Sequence, residues 1–578
     1  MLLSYYRRPI VILFSVYCIF LFSRYFFFSQ KGQSLLYEQD ELCGRVLSYA
    51  QETRGYFRFD FSGIYAGEEK KFSAYLKNGE GLIPMEEICF KANISSPYSS
   101  FAAGMLDWRE FLAKRGIFLE ARGNSFTVKK KAPAVFRLAY AVRKKVLESF
   151  ENNLGLEKSA VLSGIVIGYK KKMDPLLQDA FSISGTVHIL VASGGNVAVV
   201  TGFCLAVLRL LGFPFYLSFL AGLLGSAFYV FVCGMDPPLT RAFFMTLAGS
   251  LAFFVQRKKD PFQMLILASF AILLINPRYI LDAGFQMSFA AVYGLAAGFG
   301  ARKFFFSKKR PKLISFANTL FFASFFAQLA LSPLLIIYFN RISLVGFAAN
   351  VIAVPLAGLL LPLGLAAVVF CSVPFLGHIL FQLCDFFLSI LIKSVFFFSS
   401  LPFASIAMPD LSIAGCIALC SLVFLILHWP ILPFKRFAIF ICLFLMAAGL
   451  LSQFYWINRE LKIDFSRDGR KGFFISRCGH LFVVEPWNSC REIEKAAYSL
   501  GFTNLEAAFY AGKPDADTAL CLKKEMSARI FAPLWHSGEL AQGVWPGEKY
   551  FEILRVRGKR EPFSYSGRKD EIEYVMLP

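Results

Sequence analysis

Residues 183–200 read ISGTVHILVASGGNVAVV, an apolar run that carries Ser184, His188, Ser193, Gly194, Gly195 and Asn196. In hydrocarbon, an imidazole or a carboxamide without a partner costs several kcal/mol, about 2–7 for an amide. Read as the start of a membrane helix, the run puts Ser184, His188 and Asn196 on roughly one face, at steps of four and eight. The Ser-Gly-Gly triplet loosens that helix in its middle. Two readings follow. Either the polar groups line a water-filled path, or they form a helix contact in which His188 is satisfied by protein.

Other polar groups sit in similarly apolar surroundings. Arg241 follows Pro237-Pro238, Asp282 and Gln286 lie in YILDAGFQMSFAAVYG, and Asn350 precedes Pro355. Asp385 and Lys393 lie in the run 376–400. A charge at bilayer depth costs about 2.5 kcal/mol or more, so such residues face a cavity or a partner. Arg241, Asp282 and Asp385 are expected to do so, whereas Lys393 can snorkel to the interface.

The elements that must hold these groups are membrane helices. The chain has 578 residues, is 56% hydrophobic and has a mean hydropathy of +0.54, with 67 Phe. That composition belongs to a polytopic α-helical membrane protein. A first helix is expected within residues 1–29, after Arg7-Arg8. Apolar runs after residue 180 give about ten more crossings.

The net charge is +21, of which +11 lies between 151 and 455. Basic loops at 256–260, 301–312 and 428–436 fall on the side of Arg7-Arg8 under this topology. That side is the cytoplasmic one, which leaves both soluble domains extracytoplasmic.

Residues 30–150 alternate as about five short strands, for example in GYFRFDFSGIYA, and predict a small OB-like β-barrel. In an oxidising compartment Cys43 and Cys89 can bridge. Tyr56, Arg58, Phe59 and Tyr65 can hold single-stranded DNA by stacking and charge; that the aromatics instead form the barrel core is the slightly better reading. Residues 456–578 read strand, helix, strand, a small α/β domain. No phosphate-binding loop occurs, so the chain is not expected to hydrolyse ATP.

Four segments in order resemble the competence DNA-uptake channel family, ComEC. They are MDPLLQDAFSISGTVHILVASGGNVAVV, CGMDPPLTRAFFM, LDAGFQMSFAAVYGL and FNRISLVGFAANVIAVPLAG. Upstream, ISSPYSSFAAGMLDWREFLAKRGIFLEA resembles the end of the family's OB-like domain.

The resemblance implies an inner-membrane channel that passes one DNA strand into the cytoplasm during natural transformation. It also implies membrane lipid, a DNA receptor and a cytoplasmic motor as partners. Many family members end in a metallo-β-lactamase-like domain, whose chemistry needs clustered His and Asp ligands. Here that region retains Asp515 and Asp517, but Tyr510, Gly512 and Thr518 stand near the places where His is expected. Its only histidines are His480 and His536. A truncated remnant with no metal, no cofactor and no nuclease activity is therefore expected. The alternatives are a membrane-anchored metal-dependent nuclease and a transporter of another polyanion or a lipid.

Overall fold

The computed structural model describes residues 13–23, 38–97, 108–169, 173–254, 261–305, 312–408, 413–428, 439–451 and 461–532, with short gaps in several ranges, and a few short strands beyond. Ser193, Tyr510, Gly512, Asp515, Asp517 and the loops at 256–260, 306–311 and 429–438 lie outside the described residues.

The N-terminal domain is a closed five-stranded barrel. Strand β1 (Glu38–Val46) pairs antiparallel with β3 (Tyr56–Tyr65), and β3 with β4 (Glu68–Leu76). Strand β4 runs parallel to β6 (Leu119–Gly123), β6 pairs with β5 (Glu87–Ser95), and β5 returns to β1. Short strands β2 (Gln51–Thr53) and β7 (Thr127–Lys130) extend β3 and β5. This connectivity matches the OB-like barrel expected from the alternating pattern.

Alternate residues of β3 point inward, so Phe59 and Phe61 are buried with Leu42, Phe72, Ile88 and Phe90. Each such Phe contributes about 1.5–3 kcal/mol by leaving water. Closure brings β1 close against β3 at Gly44, where a Cβ would lie 2.1 Å from the Ser62 carbonyl oxygen. Only glycine fits that corner. Cys43 and Cys89 face each other across β1 and β5 and are disulfide-bonded, with Cα atoms 4.1 Å apart.

Helix α1 (Trp108–Lys114) precedes β6. The helical body then follows: α2 (Ala134–Asn153), α3 (Leu156–Ile167), α4 (Pro175–Ile183), α5 (Gly194–Leu210), α6 (Phe215–Cys233), α7 (Pro237–Phe254) and α8 (Pro261–Ile275). It continues with α9 (Ala283–Phe305), α10 (Lys312–Phe339), α11 (Gly346–Val369), α12 (Pro374–Ser399) and α13 (Ile413–His428). Among the described residues, four stretches are long and apolar enough to cross a membrane: Phe215–Cys233, Asn318–Phe339, Gly346–Val369 and Phe375–Ser399. With the barrel, this is the architecture of a polytopic membrane protein. One core joins α2 to α7 with α11 and α12, through Phe150, Val161, Phe181, Leu361 and Leu388.

Between α10 and α13, a two-stranded ribbon forms from β8 (Arg341–Ser343) and β9 (Ser405–Ala407). The C-terminal region opens with the antiparallel strands β10 (Leu461–Arg467), β11 (Arg470–Arg477) and β12 (His480–Val484). Strands β13 (Ala507–Phe509), β14 (Arg529–Ala532) and β15 (Val544–Pro546) then add in parallel. Helix α14 (Cys490–Ser499) packs Ile493 and Ala496 on this sheet, and Cys490 is bonded to Cys521. The strand-helix-strand order expected for this region is thus seen, with a second disulfide that spacing did not disclose.

Candidate translocation site

The run 183–200 is not one helix. Asp174 caps α4, its carboxylate accepting from the Leu176 N–H at 2.9 Å, and α4 ends at Ile183. Gly185 turns the chain with φ +71°. A Cβ there would lie 2.9 Å from the Ser343 side chain and 3.0 Å from Gly346 Cα, so this turn is wedged against the ribbon and the start of α11. A single 3-10 turn, Val187–Leu190, follows, and α5 begins afresh at Gly194. The expected loosening at Ser-Gly-Gly is therefore a full interruption of the helix, begun eight residues earlier at Gly185.

The interruption separates the polar residues by role. Ser184 is fully buried, its hydroxyl 2.7 Å from that of buried Thr186. Asn196 donates from Nδ2 to the Ile165 carbonyl at 2.9 Å and to Tyr229 Oη at 3.3 Å. Tyr229 in turn donates to the Val166 carbonyl, so α3, α5 and α6 are tied at one point. His188, Gly194 and Gly195 are exposed, although Ile189 and Leu190 beside them are buried. The histidine and the two glycines reach the surface; the serine and the asparagine are used by the protein itself.

The remaining residues divide in the same way. Asp282 caps α9, accepting from the Phe285 N–H at 2.8 Å. Gln286 donates to the Ile280 carbonyl at 2.8 Å and accepts from Tyr338 at 2.9 Å. Asn350 is buried and donates to Ser324 Oγ at 2.8 Å, while its Oδ1 has no partner. Arg241 lies in α7, and its side chain is outside the described residues. Its neighbour Ala242 comes within 3.1 Å of where a Cβ on Gly194 would stand, so α7 brings position 241 alongside the interruption.

Asp385 forms an ion pair with Lys158 Nζ at 2.7 Å. Sequence reasoning passed over Lys158, although a lysine opening the apolar run of α3 was its available signal.

In the barrel, Phe59 and Tyr65 belong to the core, whereas Tyr56 and Arg58 are half-buried. The Arg58 guanidinium stacks on Trp108 at 4.3 Å, and burial lowers its pKa from the usual value. The barrel is docked on the helices. Tyr49, its phenol pushed up to about 12 by burial, donates to the Phe231 carbonyl at 3.1 Å. Arg143 lies 4.9 Å from the Tyr49 ring and donates to the Val232 carbonyl at 3.0 Å. Lys114 lies 5.9 Å over the Tyr338 ring, at the end of α10. Three residues on, Arg341 pairs with Glu494 of the C-terminal region at 3.5 Å. Both soluble regions thus meet the same end of α10.

Residues 165–433 match the model of the family described as Competence protein, a range that contains the interruption and all four candidate spans. Over this range, just under half of its length, the chain is similar to a competence protein of the ComEC type. It is 26% identical to ComE operon protein 3 of Bacillus subtilis over 45% of this chain and 33% of that protein. It is 29% identical to Recombination protein 2 of Haemophilus influenzae over 37% of this chain and 29% of the relative. It is 27% identical to the uncharacterized protein YcaI of Escherichia coli over 36% of this chain and 29% of the relative. The matches therefore span about a third or less of the length of these relatives. No solved structure matches.

Proposed function

We propose that the chain forms a conduit through which a single DNA strand crosses the cytoplasmic membrane during natural transformation. The observation that carries this reading is the interruption between α4 and α5. It opens an imidazole and two glycines inside an otherwise apolar helical body. Irregular backbone at membrane depth is tolerated where it is covered by protein or lines water. Gly194 and Gly195 open α5, whose first N–H groups point toward an anion and carry the positive end of the helix dipole. Arg241, next in sequence to Ala242 on α7, adds a formal positive charge to that stretch of the chain. Similarity to the Competence family favours DNA as the polyanion over another polymer or a lipid.

The orientation has its own support. Among the described residues the two disulfides, Cys43–Cys89 and Cys490–Cys521, lie in the soluble regions, while Cys204, Cys371 and Cys384 in the helical body form none. Disulfides persist on the oxidising side of a membrane. Contact of both regions with one end of α10 agrees with an extracytoplasmic location for each. A DNA receptor outside and an ATP-driven motor inside complete the system, because the chain has no nucleotide loop of its own.

The C-terminal region is read as a non-catalytic remnant. Its described histidine, His480, pairs with Glu506 at 3.4 Å. Purified chain given Mn or Zn should leave DNA uncut; EDTA-sensitive cutting lost in Asp515→Ala would make it a nuclease.

The conduit is tested by uptake of labelled DNA into cells with and without the chain. Nuclease-resistant internal label should vanish without it and return on complementation. Unchanged uptake in its absence would remove the reading.

A further inference from the structure

Helix α12 differs from the other three candidate spans. Those contain no Asp, Glu, Lys or Arg, whereas α12 carries Asp385 and Lys393. These two are part of a longer series: His378, Gln382, Asp385, Ser389 and Lys393, spaced by four, three, four and four. That spacing is one face of an α-helix, and from first to last it runs about 22 Å at 1.5 Å per residue. His378 and Gln382 are hydrogen-bonded at 3.0 Å, Ser389 donates to the Asp385 carbonyl at 2.7 Å, and Asp385 holds Lys158.

Two further faces flank this stripe. Phe381, Cys384, Leu388, Leu391 and Val395 are buried in the core. Leu383, Phe386, Ile390 and Phe397 form a separate exposed apolar face. An apolar exposed face is what lipid requires. The stripe lies between that face and the core, on the edge of α12 that meets α3 through Lys158. His378, Gln382 and Lys393 are exposed, and Asp385 and Ser389 are half-buried. Hydrocarbon against a stripe of this length would impose the charge cost at Asp385 and Lys393 together with that of the amide and the imidazole.

We infer that the stripe is the wall of a water-filled groove along α12, and that this groove is a second wall of the path taken by the sugar-phosphate backbone. The inference rests on the conduit reading for what passes, but not for the presence of water. Lys158, Lys393 and His378 offer donors to phosphate. The Asp385 carboxylate fixes Lys158 and keeps the wall from holding a polyanion too tightly to release it.

Single cysteines at Gln382, Ser389 and Lys393 test it, with Leu383, Phe386 and Ile390 as controls. The full-length background has its non-disulfide cysteines replaced by alanine, and each variant is first matched for amount in the membrane. The probe is a charged, membrane-impermeant thiol reagent, which reacts with the thiolate that forms in water. Stripe positions should react at least tenfold faster than the controls, without added DNA. Equal inertness would overturn the groove. So would mild oxidation that joins stripe cysteines of two chains, which would make the stripe a contact between copies. DNA uptake by the parent background separates the two readings. An inert stripe in a chain that imports DNA removes the groove alone. A reactive stripe in a chain that imports none leaves the groove and removes the conduit.

Discussion

The interruption at 184–196 and helix α12 place polar groups in apolar surroundings by opposite means. At the interruption the backbone breaks, and most side chains then turn inward. Ser184 goes to Thr186, and Asn196 goes to Ile165 and Tyr229. What stays open is backbone at Gly194 and Gly195 and one imidazole. In α12 the backbone is an unbroken helix, and the side chains themselves carry polarity outward along one stripe. Polar residue type alone therefore does not mark the path. On the proposed reading, backbone exposure marks it in the first region and a helical stripe in the second.

This contrast is broken most severely at His188. Its ring reaches the surface and bonds only the backbone of Gly185 within the same turn, so His188→Leu should keep normal amounts of folded protein in the membrane. DNA uptake should nevertheless fall by 100-fold or more, read as transformants per cell against protein level. Normal uptake by that variant would make the open side of the interruption incidental.

A much smaller effect on uptake is expected from Asn196→Ala, which removes a carboxamide that ties α5 to α3 and α6. The Ile165 carbonyl loses its donor, a loss of about 1–3 kcal/mol of stability for a buried group left unpaired. Thermal denaturation in detergent should show the lowered midpoint, with uptake at the growth temperature reduced by less than tenfold. An uptake loss equal to that of His188→Leu, with unchanged melting, would move Asn196 from the scaffold to the path.

Much of this architecture is legible in the sequence because it depends on neighbours along the chain. Alternation in GYFRFDFSGIYA gives β3, and long, largely apolar runs give α10 to α12. The same alternation also puts Phe59 inside and Arg58 outside, a distinction that grouping the aromatics together had blurred. The rest depends on contacts far apart in sequence. At the Gly185 turn a side chain would collide with Ser343 and Gly346, more than 150 residues on. Lys158 and Asp385 are separated by 227 residues. The partners of Asn196 lie 31 and 33 residues away. No local pattern contains these pairings. The stripe on α12, by contrast, was present as spacing, and was hidden by reading Asp385 and Lys393 as isolated charges.

The central claim is that a DNA strand passes the interruption itself. It is tested most directly by stalling a strand in transit. Donor DNA carrying photoreactive bases and a bulky protein block at the end that enters last would be supplied to competent cells and illuminated. The cross-linked peptides of the chain would then be mapped. The account predicts that strand label attaches to peptides containing His188 and Gly194, and that the yield falls when entry is blocked. Efficient stalling with cross-links to other membrane proteins, and none to residues 184–196 or α12, would contradict it.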